Sequence, residues 1–141
     1  MGYNTDWNGQ IDLSRKLTDK EQEEWDTIHN ERHDSKHIYG DKNREYPSIW
    51  CGFNVNEGDI FEWDGGEKTY MGKEWIIFFV NKVMEWNKEK EIIVKGEMEW
   101  RGEDMGDNGR VRVKYNSGSK MYQIDTYEID FVRTERQLID N

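Results

Sequence analysis

Apolar residues recur at every second position through most of this chain and at helical spacing in two places. The longest alternation runs from Ile92 to Tyr115. Ile92, Val94, Gly96, Met98 and Trp100 share one side, with Ile93, Lys95, Glu97 and Glu99 on the other. After an acidic, glycine-containing loop, Val111, Val113 and Tyr115 alternate with Arg110, Arg112 and Lys114. Period two marks strands with one buried and one wet face, so the stretch predicts a hairpin. Tyr3 to Leu13 repeats the pattern, with a bulge or bend expected near Gly9. Ser48–Val55, introduced by Pro47, and Ile60–Asp64 read as two further strands joined by a turn containing Gly58. A last strand is expected from Met121 to Phe131. Its apolar parity switches after Ile124, which predicts a bulge at Asp125-Thr126. The tail, residues 133–141, is expected to fray.

Helical spacing appears first after Thr18. Thr18 and Glu21 have the reciprocal capping-box spacing, and Trp25 and Ile28 supply a thin apolar stripe. Residues 29–46 are highly charged and read either as an extension of that helix or as a surface loop. The stronger helix is Met71–Asn87, with Trp75, Ile76, Phe79, Val80, Val83, Met84 and Trp86 on its apolar side. Burying five such side chains would contribute roughly 8–15 kcal/mol before entropy. The element order predicts an α+β fold: a ferredoxin-like βαββαβ core extended by a C-terminal strand pair. One antiparallel sheet is expected, ordered 6-5-4-1-3-2 over its first six strands, with two helices on one face. Residues 1–141 read as a single domain.

Composition changes this picture in two respects. Only 34% of residues are hydrophobic and 35% are charged, which favours disorder. Seven Trp, seven Tyr and five Phe oppose that and predict an aromatic core. The formal charge is −10, and the first seventy residues hold 16 acids against 8 bases. Such a field opposes contact with nucleic-acid phosphate, so no direct nucleic-acid binding is expected. It suits a partner protein with a basic surface. A single cysteine, Cys51, allows no internal disulfide. With no leader-like N-terminus and no membrane-length apolar run, a cytoplasmic protein is expected.

The candidate chemistry is sparse. His29, His33 and His37 are spaced by four and would form one row on a continuous helix, a weak metal-site pattern. Exposed histidines in a polar stretch are the commoner explanation. Glu97, Glu99, Glu103, Asp104 and Asp107 concentrate carboxylates on the hairpin, with Asp64 and Glu67 expected beside them. They could meet a basic protein surface or, alternatively, hold Mg²⁺ or Mn²⁺ for a hydrolase or nucleotide-processing enzyme. Carboxylates on a hairpin tip are ordinarily just solvated. Six of seven tryptophans directly follow an acid, and Trp50 is the exception. Alternation explains this pairing, although a small-ligand module for a glycan or nucleotide can share it. Cys51 falls on a buried parity, and no nucleophile, base and acid can be grouped by spacing. No catalytic residue and no cofactor are implied.

The segments Gly2-Tyr3-Asn4-Thr5-Asp6, Pro47-Ser48-Ile49-Trp50-Cys51, Trp63-Asp64-Gly65-Gly66-Glu67-Lys68 and Gly96-Glu97-Met98-Glu99-Trp100-Arg101-Gly102-Glu103-Asp104 together resemble a group of small bacteriophage and prophage proteins that carry no assigned activity. The resemblance implies a phage-related origin and transfers no site residues. The expected function is therefore non-enzymatic binding to a host protein inside the host cell, for example to inhibit host defence or nucleic-acid machinery. Edge-to-edge sheet pairing would also permit a homodimer.

Overall fold

A computed structural model of the chain describes residues 3–33, 46–67, 69–128 and 131–140. The elements run β1 (Thr5–Leu13), α1 (Asp19–Asn30), β2 (Phe53–Asn56), β3 (Ile60–Trp63), α2 (Gly72–Asn87), β4 (Val94–Gly102), β5 (Asn108–Asn116), β6 (Met121–Glu128) and β7 (Val132–Asp140). They build an α+β fold with one antiparallel seven-stranded sheet, ordered β2-β3-β1-β4-β5-β6-β7. Reading inward from β6, this contains the strand order expected from the sequence. Both helices reach the same sheet residue: the rings of Trp25 in α1 and Phe79 in α2 both meet Phe61 of β3, at 5.8 and 4.2 Å between centroids.

The core that these contacts define is aromatic. Phe61 stacks on Phe53, Trp25 meets Phe79 edge-on, and Trp7 meets Phe53 edge-on. Buried indoles need a partner for their N–H. Trp25 donates to the Phe53 carbonyl at 3.2 Å, and Trp75 donates to the Ser48 hydroxyl at 2.7 Å. The strand faces follow the alternation, with Val94, Met98, Val111 and Val113 buried. α1 starts as expected: Thr18 accepts from the Glu21 amide, and Glu21 accepts from the Thr18 amide. Among the described residues no helix is long and apolar enough to cross a membrane.

Three expectations change, and one alternative is settled. Residues Val132–Asp140 form β7, paired along β6, where a frayed tail was expected. Most β7 side chains are exposed, so its order comes from the backbone ladder and from polar contacts. The strand expected from Ser48 forms only from Phe53, and the Ser48 hydroxyl donates to the Trp50 carbonyl at 3.0 Å. The strand expected through Phe131 ends at Glu128, and its register shift lies at Thr126/Tyr127, one residue beyond the expected bulge. Gly9 carries φ +91° with no register slip, so the backbone bends there without a bulge. A β-carbon at Gly9 would lie 2.5 Å from the Glu97 carbonyl oxygen, which leaves glycine as the residue that fits.

Candidate functional site

The hairpin carboxylates point outward, as their parity requires, but they face arginines. In the β4–β5 register Glu97 sits opposite Arg112, and Glu99 opposite Arg110. Arg112 Nε donates to Glu97 at 3.0 Å, and the Arg110 guanidinium donates to Glu99 at 2.8 Å. The row continues through the next strands: Arg112 opposes Asp125, and Asp125 opposes Arg136. The outer sheet face is thus a ladder of alternating charges, with opposite signs on directly opposed positions. Arg110 also lies over the Phe131 ring at 4.3 Å. Asp125 is fully enclosed and accepts from Arg136 and Gln123, each at 2.8 Å. Burial pushes its carboxyl up, and the hydrogen bonds outweigh burial, leaving the pKa below the usual aspartate value.

The hairpin tip is bound to the start of the chain. Tyr3 donates its hydroxyl to the Asp107 carboxylate and accepts from the Asp104 amide at 2.9 Å. Trp100 Nε1 donates to Asp107 at 3.1 Å, and the Asn4 amide donates to Glu103 at 2.9 Å. The Asp107 carboxylate beside it raises the Tyr3 phenol above its ordinary value. Two of the three tip carboxylates therefore hold backbone and ring groups in place.

Asp64 does not join the hairpin acids, because β1 lies between β3 and β4. Its carboxylate accepts from the Gly66 amide at 2.7 Å and contacts His29 Nε2 at 2.8 Å. Glu67 is exposed nearby on the same loop. The histidine row does not form across the described residues, because α1 ends at Asn30. His33 is buried, donates Nε2–H to the Ile28 carbonyl at 3.0 Å and stacks on Tyr46. His37 lies outside the described residues. Among the described residues, no three His, Cys, Asp or Glu side chains gather as metal ligands. Cys51 is buried, and burial pushes its thiol up to about 12, far from a thiolate nucleophile at neutral pH.

Open carboxylates also lie on α1. Asp19, Glu23 and Asp26 fall at helical positions i, i+4 and i+7 on one exposed stripe that ends at Asn30. None of the three forms an ion pair among the described residues; Asp26 accepts only the Gln22 amide, at 2.9 Å. Around the helix, Glu23, Glu24 and Glu31 rim a groove of about 680 Å³ against α2, with Ile28 and Phe78 in its floor. Glu24 and Glu85 share Lys82 there, at 2.6 and 3.0 Å. The sequence signal for this side was the charge imbalance of the first seventy residues. No family model, curated protein or solved structure matches the chain.

Proposed function

We propose that this chain is a non-enzymatic, phage-related binding protein that acts on a host protein through carboxylates facing a basic surface. The observation that carries the reading is the α1 stripe of Asp19, Glu23 and Asp26, exposed and without an ion pair among the described residues, beside a carboxylate-rimmed groove. A carboxylate that faces no internal cation keeps its field for an incoming one, whereas one already facing an arginine does not. The contact surface is therefore assigned to α1, with the hairpin acids, chosen first from the sequence, as supporting structure. The arrangement β2-β3-β1-β4 with a helix after β1 and after β3 supports reading the first six elements as a ferredoxin-like core. On that reading β5–β7 widen the sheet, and α1 is left as an outer helix.

The test is paired charge reversal. A partner captured from host lysate is purified and titrated against Glu23→Lys/Asp26→Lys and against Glu99→Lys/Asp104→Lys. The α1 pair is expected to weaken binding by about tenfold or more, and the hairpin pair by about twofold or less. Unchanged affinity in the α1 pair would sink the assignment.

A further inference from the structure

The acidic stripe on α1 runs into a small cleft whose wall is Trp50. Trp50 is 55% exposed and is the only exposed tryptophan among the described residues. Its ring meets no other aromatic ring among them. The cleft encloses about 250 Å³, and His29, Asn30, Asp64, Glu67 and Thr69 share its lining with Trp50. Asn30 is both the end of the acidic stripe and part of this lining, so the two features are continuous.

The cleft is held in place from the core. The buried Ser48 hydroxyl donates to the Trp50 carbonyl at 3.0 Å while accepting from Trp75 Nε1 at 2.7 Å. Asp64 is fixed through the Gly66 amide and His29. The Trp50 backbone and the Asp64 carboxylate are thus positioned before any ligand arrives, which limits the ordering cost of binding.

A ligand must suit an open indole face flanked by two carboxylates in the more acidic half of the chain. Phosphates and other anions are repelled by Asp64 and Glu67. A guanidinium suits every part: it stacks on Trp, donates to carboxylates in a planar fork and is weakly hydrated. Fully buried aromatic or arginine anchors of this kind carry a large share of the energy in many interfaces.

We propose that the Trp50 cleft is the anchor site for an arginine side chain of a basic partner, stacked on Trp50 and paired to Glu67, with the His29-bound Asp64 adding negative charge beside it. The inference rests on the reading of α1 as the acidic contact surface, and it adds the residue type that the partner must present.

A capped arginine-rich peptide and its citrulline counterpart, equal in shape but uncharged, provide the probe. The arginine peptide is expected to shift the Trp50 indole N–H resonance and to bind about tenfold tighter than the citrulline peptide. Trp50→Ala should remove most of that preference, Trp50→Phe should restore part of it, and Glu67→Gln should weaken binding several-fold. Equal binding of the two peptides, or full binding by Trp50→Ala, would overturn the proposal. If Glu23→Lys/Asp26→Lys weakens the arginine peptide while Trp50→Ala does not, the acidic stripe stands and the anchor fails. If neither variant matters, both readings fail.

Discussion

α1 and the β4–β5 hairpin are both acidic, yet they use their carboxylates in opposite ways. On the hairpin, Glu97 and Glu99 face Arg112 and Arg110, and Asp107 holds Tyr3 and Trp100. On α1, Asp19, Glu23 and Asp26 have no ion pair among the described residues. The physical difference is registration. Antiparallel pairing puts each glutamate opposite a chosen residue of the next strand, so an arginine there captures it. On the outer stripe of α1 the i+3 and i+4 neighbours of Asp19 and Glu23 are acids or neutral side chains, whereas Glu21 and Glu24, off that stripe, are captured by Arg15 and Lys82. Local acid density is therefore a poor guide to an acidic surface unless the opposite strand is known.

The largest effect that sharpens this contrast lies within α1. Its inner face carries Trp25, fully buried against Phe61 and Phe79. Trp25→Ala should cost about 3–5 kcal/mol in chemical denaturation. Glu23→Lys/Asp26→Lys, on the outer face of the same helix, should stay within about 0.5 kcal/mol of the unchanged protein. If the outer pair destabilises comparably, the stripe is structural and the contrast with the hairpin disappears.

Next in size comes the tip. Asp107→Ala removes the acceptor of Trp100 Nε1 and of the Tyr3 hydroxyl, and should lower stability by about 1–3 kcal/mol. Asp26→Ala should change stability by about 0.5 kcal/mol or less. Similar losses at the two sites would break the comparison, because a solvated carboxylate has no buried donor to orphan. Tyr3→Phe should loosen the same tip without removing charge, read as faster amide exchange at Asp104.

The same division predicts the response to acid. Hydrogen bonding from Arg15 holds Glu21 below the ordinary glutamate value of 4.5. Asp125 sits below the ordinary aspartate value of 3.8, its hydrogen bonds from Arg136 and Gln123 outweighing burial. A depressed carboxylate stabilises the fold fully above its unfolded value, and that stability is lost as pH falls through the folded value. Burial also lowers His33, only partly offset by its bond to Ile28, so the fold prefers the neutral ring. The unfolded chain binds that proton first, and stability declines once pH drops below the ordinary histidine value of 6.5. Melting temperature should thus fall in two stages, a shallow one below 6.5 and a steeper one in the carboxylate range. His33→Gln should flatten the first stage alone.

Several of these residues were legible in the sequence and others were not, for reasons the geometry supplies. The capping box, the inward side of α2 and the inward parity of β4 and β5 are local patterns, and local sequence encodes them. β7 escaped because its side chains are mostly exposed and only Ile139 is buried, so no alternation marks it. Ser48 escaped because its hydroxyl bridges Trp50 and Trp75, a contact no propensity scale contains. The hairpin acids were legible as residues, but the arginines that face Glu97 and Glu99 were not, since partner identity depends on cross-strand register. Trp50 stood out in the sequence as the tryptophan without a preceding acid, and it is the exposed one.

The smallest effect tests the pairing on the hairpin itself. Glu99 and Arg110 meet at 2.8 Å with much of the glutamate side chain in solvent, so water and salt screen the pair. Glu99→Gln should cost about 0.2–1 kcal/mol at low ionic strength and less as salt is added. Arg110 keeps other contacts, with Glu97 at 3.9 Å and the Phe131 ring below its guanidinium. Arg110→Gln should therefore cost more than Glu99→Gln, and the double substitution less than the sum of the two. A double-mutant cycle with no coupling would mean that the pair exerts no mutual hold. Glu99 would then be as open to a partner as Asp26, and the hairpin would return as a competing contact surface.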